Sequence, residues 1–234
     1  MDLKIKDVAE LLSVSETTIR RWLVDGKIPA YRLNRQYRFS RNEIEDWLMQ
    51  QKLGLAIDSR KKEEEDLIVE RPPTQSSGNM QFSLYRALYR GEVITDLPGE
   101  NKEEVIRGTM RLLCKRFDLD PEVLSDLFLD RERLNSTALG HGIAVPHTRD
   151  FLLNTHFDVV SIVFPKQPIE FGALDGQPVN VLFFIFACED KNHLHLLSKI
   201  AHLVSNEKIR AILHTQPQKT RLLDFIKHWE GSLK

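Results

Sequence analysis

The sequence predicts an α/β domain preceded by a small three-helix domain that carries a β-hairpin. Three observations point there. Apolar residues recur at helical spacing three times near the N-terminus, with an alternating segment between the second and third. A stretch rich in charge, proline and serine then interrupts the pattern. Beyond it, capped helices alternate with β-branched and aromatic runs of strand length. For 234 residues, two domains are the ordinary expectation.

The stripes Val8/Leu11/Leu12, Ile19/Trp22/Leu23 and Ile44/Trp47/Leu48 each give one apolar helix face, so three helices can share one small core. Ser15 is placed to cap the second helix, and Ser40 with Glu43 reads as a capping box for the third. Between them Tyr31 and Leu33 alternate with Arg32, and Tyr37 and Phe39 alternate with Arg38. Two alternating runs around Asn34-Arg35 predict a hairpin. Helix-turn-helix followed by a hairpin is a winged helix, expected over residues 1–51.

The formal net charge is only -1, but Thr17 to Asn42 hold seven basic residues and one acid, a local +6. Thr17, Arg20 and Arg21 share the side of the second helix opposite its apolar stripe, a geometry suited to a major groove. The candidate DNA contacts are Thr17, Thr18, Arg20 and Arg21 on that helix, with Arg35, Gln36 and Arg38 on the hairpin. Residue chemistry alone leaves open a solvated face of a protein-interaction module. So small a domain offers few phosphate contacts, so useful affinity is expected only from dimers or clustered sites.

Residues 52–80 are expected to be a linker. They hold the charge run Arg60 to Asp66, then Pro72-Pro73 and Thr74 to Asn79, with a short ordered piece expected at Leu67-Ile68-Val69. The α/β domain is expected over 81–234. Asn101 with Glu104 opens one helix and Asp120-Pro121 another. Asp158 to Phe164 and Val179 to Cys188 read as buried strands, and helices are expected at about 191–205, 207–214 and 217–230. No secretion signal or membrane span is visible, and Cys114 and Cys188 read as reduced core thiols. The expected location is cytoplasmic, with neither cofactor nor metal.

The stretch Arg131 to His147 carries the chemistry. Gly140 and Gly142 allow close backbone approach, Ile143 to Val145 form a short strand, and Pro146 restricts where His147 emerges. A neutral imidazole is a competent nucleophile, and Arg131 could clamp an anion. If Asp190 caps the next helix, His193 is its third residue, in a turn whose open N–H groups favour anions. His193 and His195 fall on different faces and make a poor metal pair. By residues alone, a loop histidine of no special function stays open.

Residues 3–50 resemble the excisionase/MerR-type winged helix. Residues 82–234 resemble the type-2 IIA component of the bacterial phosphotransferase system, most closely its nitrogen-regulatory branch. The matching residues run Arg131-Glu132 through Ser136-Thr137, Gly140 and Gly142-Ile143-Ala144 to Pro146-His147, followed by Asp175 to Val179 and Glu189 to His195. Asn135, Ala138 and Thr148 stand where the family usually has glycine. The resemblance implies a mixed β-sheet with helices on both faces, His147 as phosphoryl acceptor, His193 as its paired histidine and Arg131 as the motif arginine. It also implies an enzyme of the phosphohistidine-carrier kind. Expected partners are a histidine phosphocarrier protein (HPr or its nitrogen-branch counterpart), DNA and a second copy of the chain, but no membrane. The expected function is regulatory phosphotransfer that modulates transcription. The alternative is a DNA-binding regulator whose IIA-like domain only dimerises or senses a ligand.

Overall fold

The computed structural model describes residues 3–33, 36–58, 83–116, 119–148 and 157–233. It divides into two compact units, Met1–Ser76 and Ser77–Lys234. Most of the expected linker, including Leu67 to Val69, lies outside the described residues, as does the turn Asn34-Arg35.

The first unit runs α1 (Ile5–Leu12), α2 (Glu16–Val24), β1 (Tyr31–Leu33), β2 (Gln36–Arg38) and α3 (Arg41–Asp58). α1 stops at Ser13, which adopts the left-handed conformation (φ 56°, ψ 41°). Ser15 then caps α2, its hydroxyl accepting from Thr18 N at 3.1 Å. Val8, Ile19, Ile28, Phe39 and Ile44 are buried together, with Trp22, Tyr37 and Trp47 packed against them. The Trp47 indole donates to the Lys27 carbonyl at 2.6 Å, which fixes the chain between α2 and β1. α3 continues to Asp58, past the point where the linker was expected to begin. Gln50, Gln51, Lys52 and Leu53 are all good helix formers with no proline among them.

The hairpin departs from its simplest reading. β1 pairs with β2 as Tyr31↔Arg38, Arg32↔Tyr37 and Leu33↔Gln36. Paired residues share a face, so the apolar residues of the two strands fall on opposite faces. Tyr37 turns toward the core, where Phe39 is fully buried. Tyr31 and Leu33 therefore face away from it.

The second unit comprises α4 (Ser83–Arg90), β3 (Val93–Leu97), α5 (Lys102–Leu113), α6 (Pro121–Leu134), β4 (Ala138–Gly140), β5 (Ile143–Ala144), β6 (Val159–Pro165), β7 (Val181–Phe186), α7 (Asp190–Ser205), α8 (Glu207–His214) and α9 (Lys219–Ser232). Asn101 caps α5 and Asp120 caps α6 through backbone N–H groups two and three residues on. The five strands form one mixed sheet in the order β3-β6-β7-β5-β4. β3 with β6 and β5 with β7 are parallel, while β6 with β7 and β4 with β5 are antiparallel.

Strand alternation sends Leu182, Phe184 and Phe186 of β7 into one core with Ile106 and Met110 of α5 and Leu124 and Phe128 of α6. Phe183 and Ile185 point to the opposite face, also fully buried, where α4 and α7 contact β6 and β7. Helices thus cover both faces. At Gly91 the chain leaving α4 passes so close to β6 that an added Cβ would lie 1.9 Å from the Val160 carbonyl oxygen. Only glycine allows that approach. Cys114 is buried, which pushes its thiol up to about 11. Cys188 is half-buried rather than in the core, its thiol donating to Asp158 at 3.2 Å. No described helix is long and apolar enough to cross a membrane.

Candidate phosphoryl site and nucleic-acid interface

The site grows out of the β4–β5 hairpin. Ala138 pairs with Ala144 and Gly140 with Ile143, leaving the two-residue turn His141-Gly142 with φ of 53° and 74°. Two successive positive φ values make this the turn that matches strand twist. A Cβ at Gly142 would sit 2.9 Å from Asn180 Oδ1, so glycine is required there twice over. β5 then runs parallel to β7, and the Pro146 carbonyl accepts from Ile185 N at 3.1 Å. This carries the strand on to His147, which bridges Ile185. His147 therefore leaves the sheet on the Ile185 face, the face covered by α7.

The imidazole is fixed by its own strand. His147 Nδ1 lies 2.7 Å from the Val145 carbonyl oxygen. A carbonyl only accepts, so Nδ1 carries the proton and the neutral ring holds its lone pair on Nε2. The His193 ring packs against it with centroids 5.1 Å apart and planes inclined by 59°. Two residues 46 positions apart are brought together because β7 leads directly into α7.

The cap of α7 is Glu189, not Asp190, and His193 is the fourth helical residue. Its backbone N–H already donates to the Glu189 carbonyl at 3.0 Å. His193 therefore offers its ring, and not an open helix-terminal amide. Arg131 is buried in the last turn of α6, donating to the Asn135 carbonyl at 3.0 Å. Val145 N donates to the Thr137 carbonyl at 3.0 Å, extending the β4–β5 register beyond Ala138↔Ala144. Arg131 is thus anchored to the chain just before β4.

Two carboxylates escaped the sequence reading. Glu132 accepts from Thr137 Oγ1 at 2.6 Å and from Thr137 N at 3.2 Å. It thereby holds the residue that pairs with Val145. Burial pushes the Glu132 carboxyl up against the opposing pull of Thr137 and Lys102. Asp175 accepts from His141 N at 2.7 Å and Gln177 N at 3.1 Å, bracing the turn. The only signal for either was an acidic residue inside a motif stretch.

Asp175 makes the fold of this hairpin pH-dependent. Burial pushes its carboxyl up, but the amides of His141 and Gln177 outweigh it and hold it below the usual range. A depressed carboxyl pKa contributes stability above about pH 4 that is lost as pH falls through the folded-state value. Unfolding midpoints should therefore drop more steeply below about pH 4 for wild type than for Asp175→Ala. Parallel midpoint curves would show that the brace contributes nothing.

In the first unit, Thr17, Arg20 and Arg21 are exposed along α2. Thr18 is half-buried, its hydroxyl 2.9 Å from Ser15 Oγ in the cap. Arg20 lies 3.5 Å from Glu16, a surface pair of little weight. Gln36 is exposed and Arg38 half-buried, and Arg35 lies outside the described residues.

The family model for the phosphoenolpyruvate-dependent sugar phosphotransferase system, EIIA 2, matches residues 88–229. The chain belongs to this family. A helix-turn-helix domain model matches residues 3–52. The nitrogen regulatory protein of Pseudomonas aeruginosa is 30% identical over 146 residues, covering 61% of this chain and 94% of that protein. Its Escherichia coli counterpart is 33% identical over 135 residues, covering 57% and 82%. The crystal structure of nitrogen regulatory protein IIA-Ntr from Neisseria meningitidis shares the fold with a TM-score of 0.52 at 26% identity, covering 58% of this chain and 92% of that one.

The EIIA 2 domain accommodates two of its non-glycine residues without backbone strain. Asn135 is extended (φ -165°, ψ 142°), and Ala138 begins β4. Neither position calls for the left-handed conformation that would favour glycine.

Proposed function

We propose that the EIIA 2 domain accepts a phosphoryl group on His147 from a histidine phosphocarrier, and that the N-terminal unit binds DNA. Together they make a regulatory phosphotransfer protein acting in the cytoplasm on transcription. The observation that carries the first half is the Nδ1 contact to Val145, which leaves the lone pair on Nε2 as the nucleophile.

In the transfer, Nε2 of His147 attacks the phosphorus of the carrier's phosphohistidine. The phosphorus–nitrogen bond to the carrier breaks, and the carrier imidazole leaves with the electron pair. Positive charge gathers on the His147 ring, where the Val145 carbonyl stabilises it through Nδ1–H. The reaction passes through a loose, anionic transition state, so positioning and charge do most of the catalysis. His193 is the paired ring that orients the phosphoryl group, and Arg131 supplies positive charge from the end of α6. The test is acid-labile labelling from phosphoenolpyruvate in the presence of the first phosphotransferase enzyme and the phosphocarrier. No label, with the carrier itself labelled, overturns the reading.

The DNA half rests on the exposed Thr17, Arg20 and Arg21 face of α2 and the local +6 around it. Arg20→Ala should weaken duplex binding severalfold and lower the salt slope by about one, as expected for a lost phosphate contact. Glu64→Ala in the linker should change neither. Equal losses for both variants, read by anisotropy across a salt series, would remove α2 as the contact face.

A further inference from the structure

On the side of the sheet away from His147, an open cavity of about 720 Å³ lies where the end of β3 meets α5 and the start of α6. Its volume suits a small molecule. Leu97, Leu112, Leu119 and Pro121 make its walls apolar, and its charged lining residues are two exposed cations, Arg111 and Lys115. Asp120, between Leu119 and Pro121, spends its carboxylate on the α6 cap. Gly108, Arg111, Leu112 and Lys115 follow the i, i+3, i+4, i+7 spacing of one stripe along α5 and the 3₁₀ turn after it (Cys114–Arg116).

Gly108 is the informative member of that stripe. A glycine inside a helix is less stable than an alanine there. At Gly91 the packing excludes any side chain, but at Gly108 an added Cβ would meet nothing nearer than Leu97 Cδ1 at 3.7 Å, an ordinary contact. Packing therefore does not require glycine at this position. What its missing side chain provides is room in the cavity that Gly108 lines. Leu112, 45% exposed, shows its apolar surface beside it. Arg111 lies 3.3 Å from Glu122, both side chains being more than half exposed, and so weak a surface pair leaves the guanidinium able to turn to a ligand.

We propose that this cavity binds a small amphipathic anion, its unbranched apolar body against Leu97, Leu112 and Leu119 and its single carboxylate or phosphate head on Arg111 and Lys115. The site is separate from the phosphoryl and DNA readings and depends on neither. The body gains by removing the exposed Leu112 surface from water. A planar guanidinium matches either oxyanion, and the lysine adds a point charge. A neutral head gains nothing from the two cations, and a cationic head is repelled. Such a site would give the EIIA 2 domain a small-molecule input on the side of the sheet away from its histidines.

The experiment titrates the full chain calorimetrically with octanoate, octyl phosphate, octanol and octyltrimethylammonium, which share one tail and differ in the head. At least one of the two anions should bind about tenfold more tightly than octanol, the weight of a charge-assisted contact, and the tighter one identifies the head. The double variant Arg111→Ala/Lys115→Ala should lose that tenfold advantage and keep the octanol affinity. Gly108→Leu should fold, since leucine suits a helix, and should bind none of the four because its side chain occupies the cavity. Should Gly108→Leu fail to fold, the double variant decides. The inference is overturned if neither anion binds at millimolar concentration, or if octanol or the ammonium binds as tightly as the anions. It is equally overturned if the double variant or a folded Gly108→Leu leaves anion binding unchanged.

Discussion

Replacing His147 with alanine is expected to abolish acid-labile labelling of the chain by a phosphorylated carrier, with the thermal unfolding profile largely kept. The loss should be complete because no other described ring shares its arrangement on the strand. Its proton is placed on Nδ1 by the Val145 carbonyl, and its lone pair on Nε2. His193→Ala should leave the acceptor nitrogen in place but remove the adjoining ring, slowing labelling by about a hundredfold without changing its final extent. Rapid-quench labelling separates rate from extent. Persistent label on His147→Ala would move the acceptor elsewhere, and equal extinction in both variants would make His193 an acceptor or an obligatory relay.

The second large effect is structural. Glu230→Ala should destabilise the EIIA 2 domain by about 3–5 kcal/mol, the usual cost of removing one partner from a buried ion pair. The fully buried Glu230 carboxylate accepts from Leu84 N at 3.2 Å and Tyr85 N at 2.8 Å, so it satisfies the open amides at the start of α4. It also pairs with Lys199 of α7. Burial lowers the pKa of that lysine against the pull of its partner. Truncation leaves two amides and an ammonium without this carboxylate. Glu230→Gln should be milder, since the amide oxygen can still accept from one backbone N–H. Chemical denaturation of the full chain measures both; a loss for Glu230→Ala below about 1 kcal/mol would show that the carboxylate does not hold the three helices together.

What was legible in the sequence was legible for local reasons. Ser15, Asn101 and Asp120 cap the helices their positions predict, because a cap joins a side chain to an amide two or three residues on. The three C-terminal helices fall where apolar spacing put them, at Asp190–Ser205, Glu207–His214 and Lys219–Ser232. α4, β3 and β4 were not anticipated. β4 has three residues and β3 five, too few for a period to stand out. The wing was legible as a hairpin but not as a two-faced one, since a register shift of one residue exchanges the faces and the sequence pattern alone does not set it.

For the site, the motif from Arg131 to His147 singled out the proposed acceptor, and the glycines at 140 and 142 were recognisable from their type. That Glu132 and Asp175 brace this segment was not, because their partners are fixed by how the chain folds back. The sequence by itself therefore determined the family, the capped starts of α2, α5 and α6 and the histidine at a strand end, all set by neighbouring residues and ordered motifs. Only the tertiary structure decided that His193 lies against His147, that Glu230 reaches Leu84 across 146 residues, and that Arg32 shares one face of the hairpin with Tyr37 while Arg38 lies on the other. The physical reason is common to all three. Such contacts depend on loop closure, strand register and packing, which no short stretch of sequence encodes.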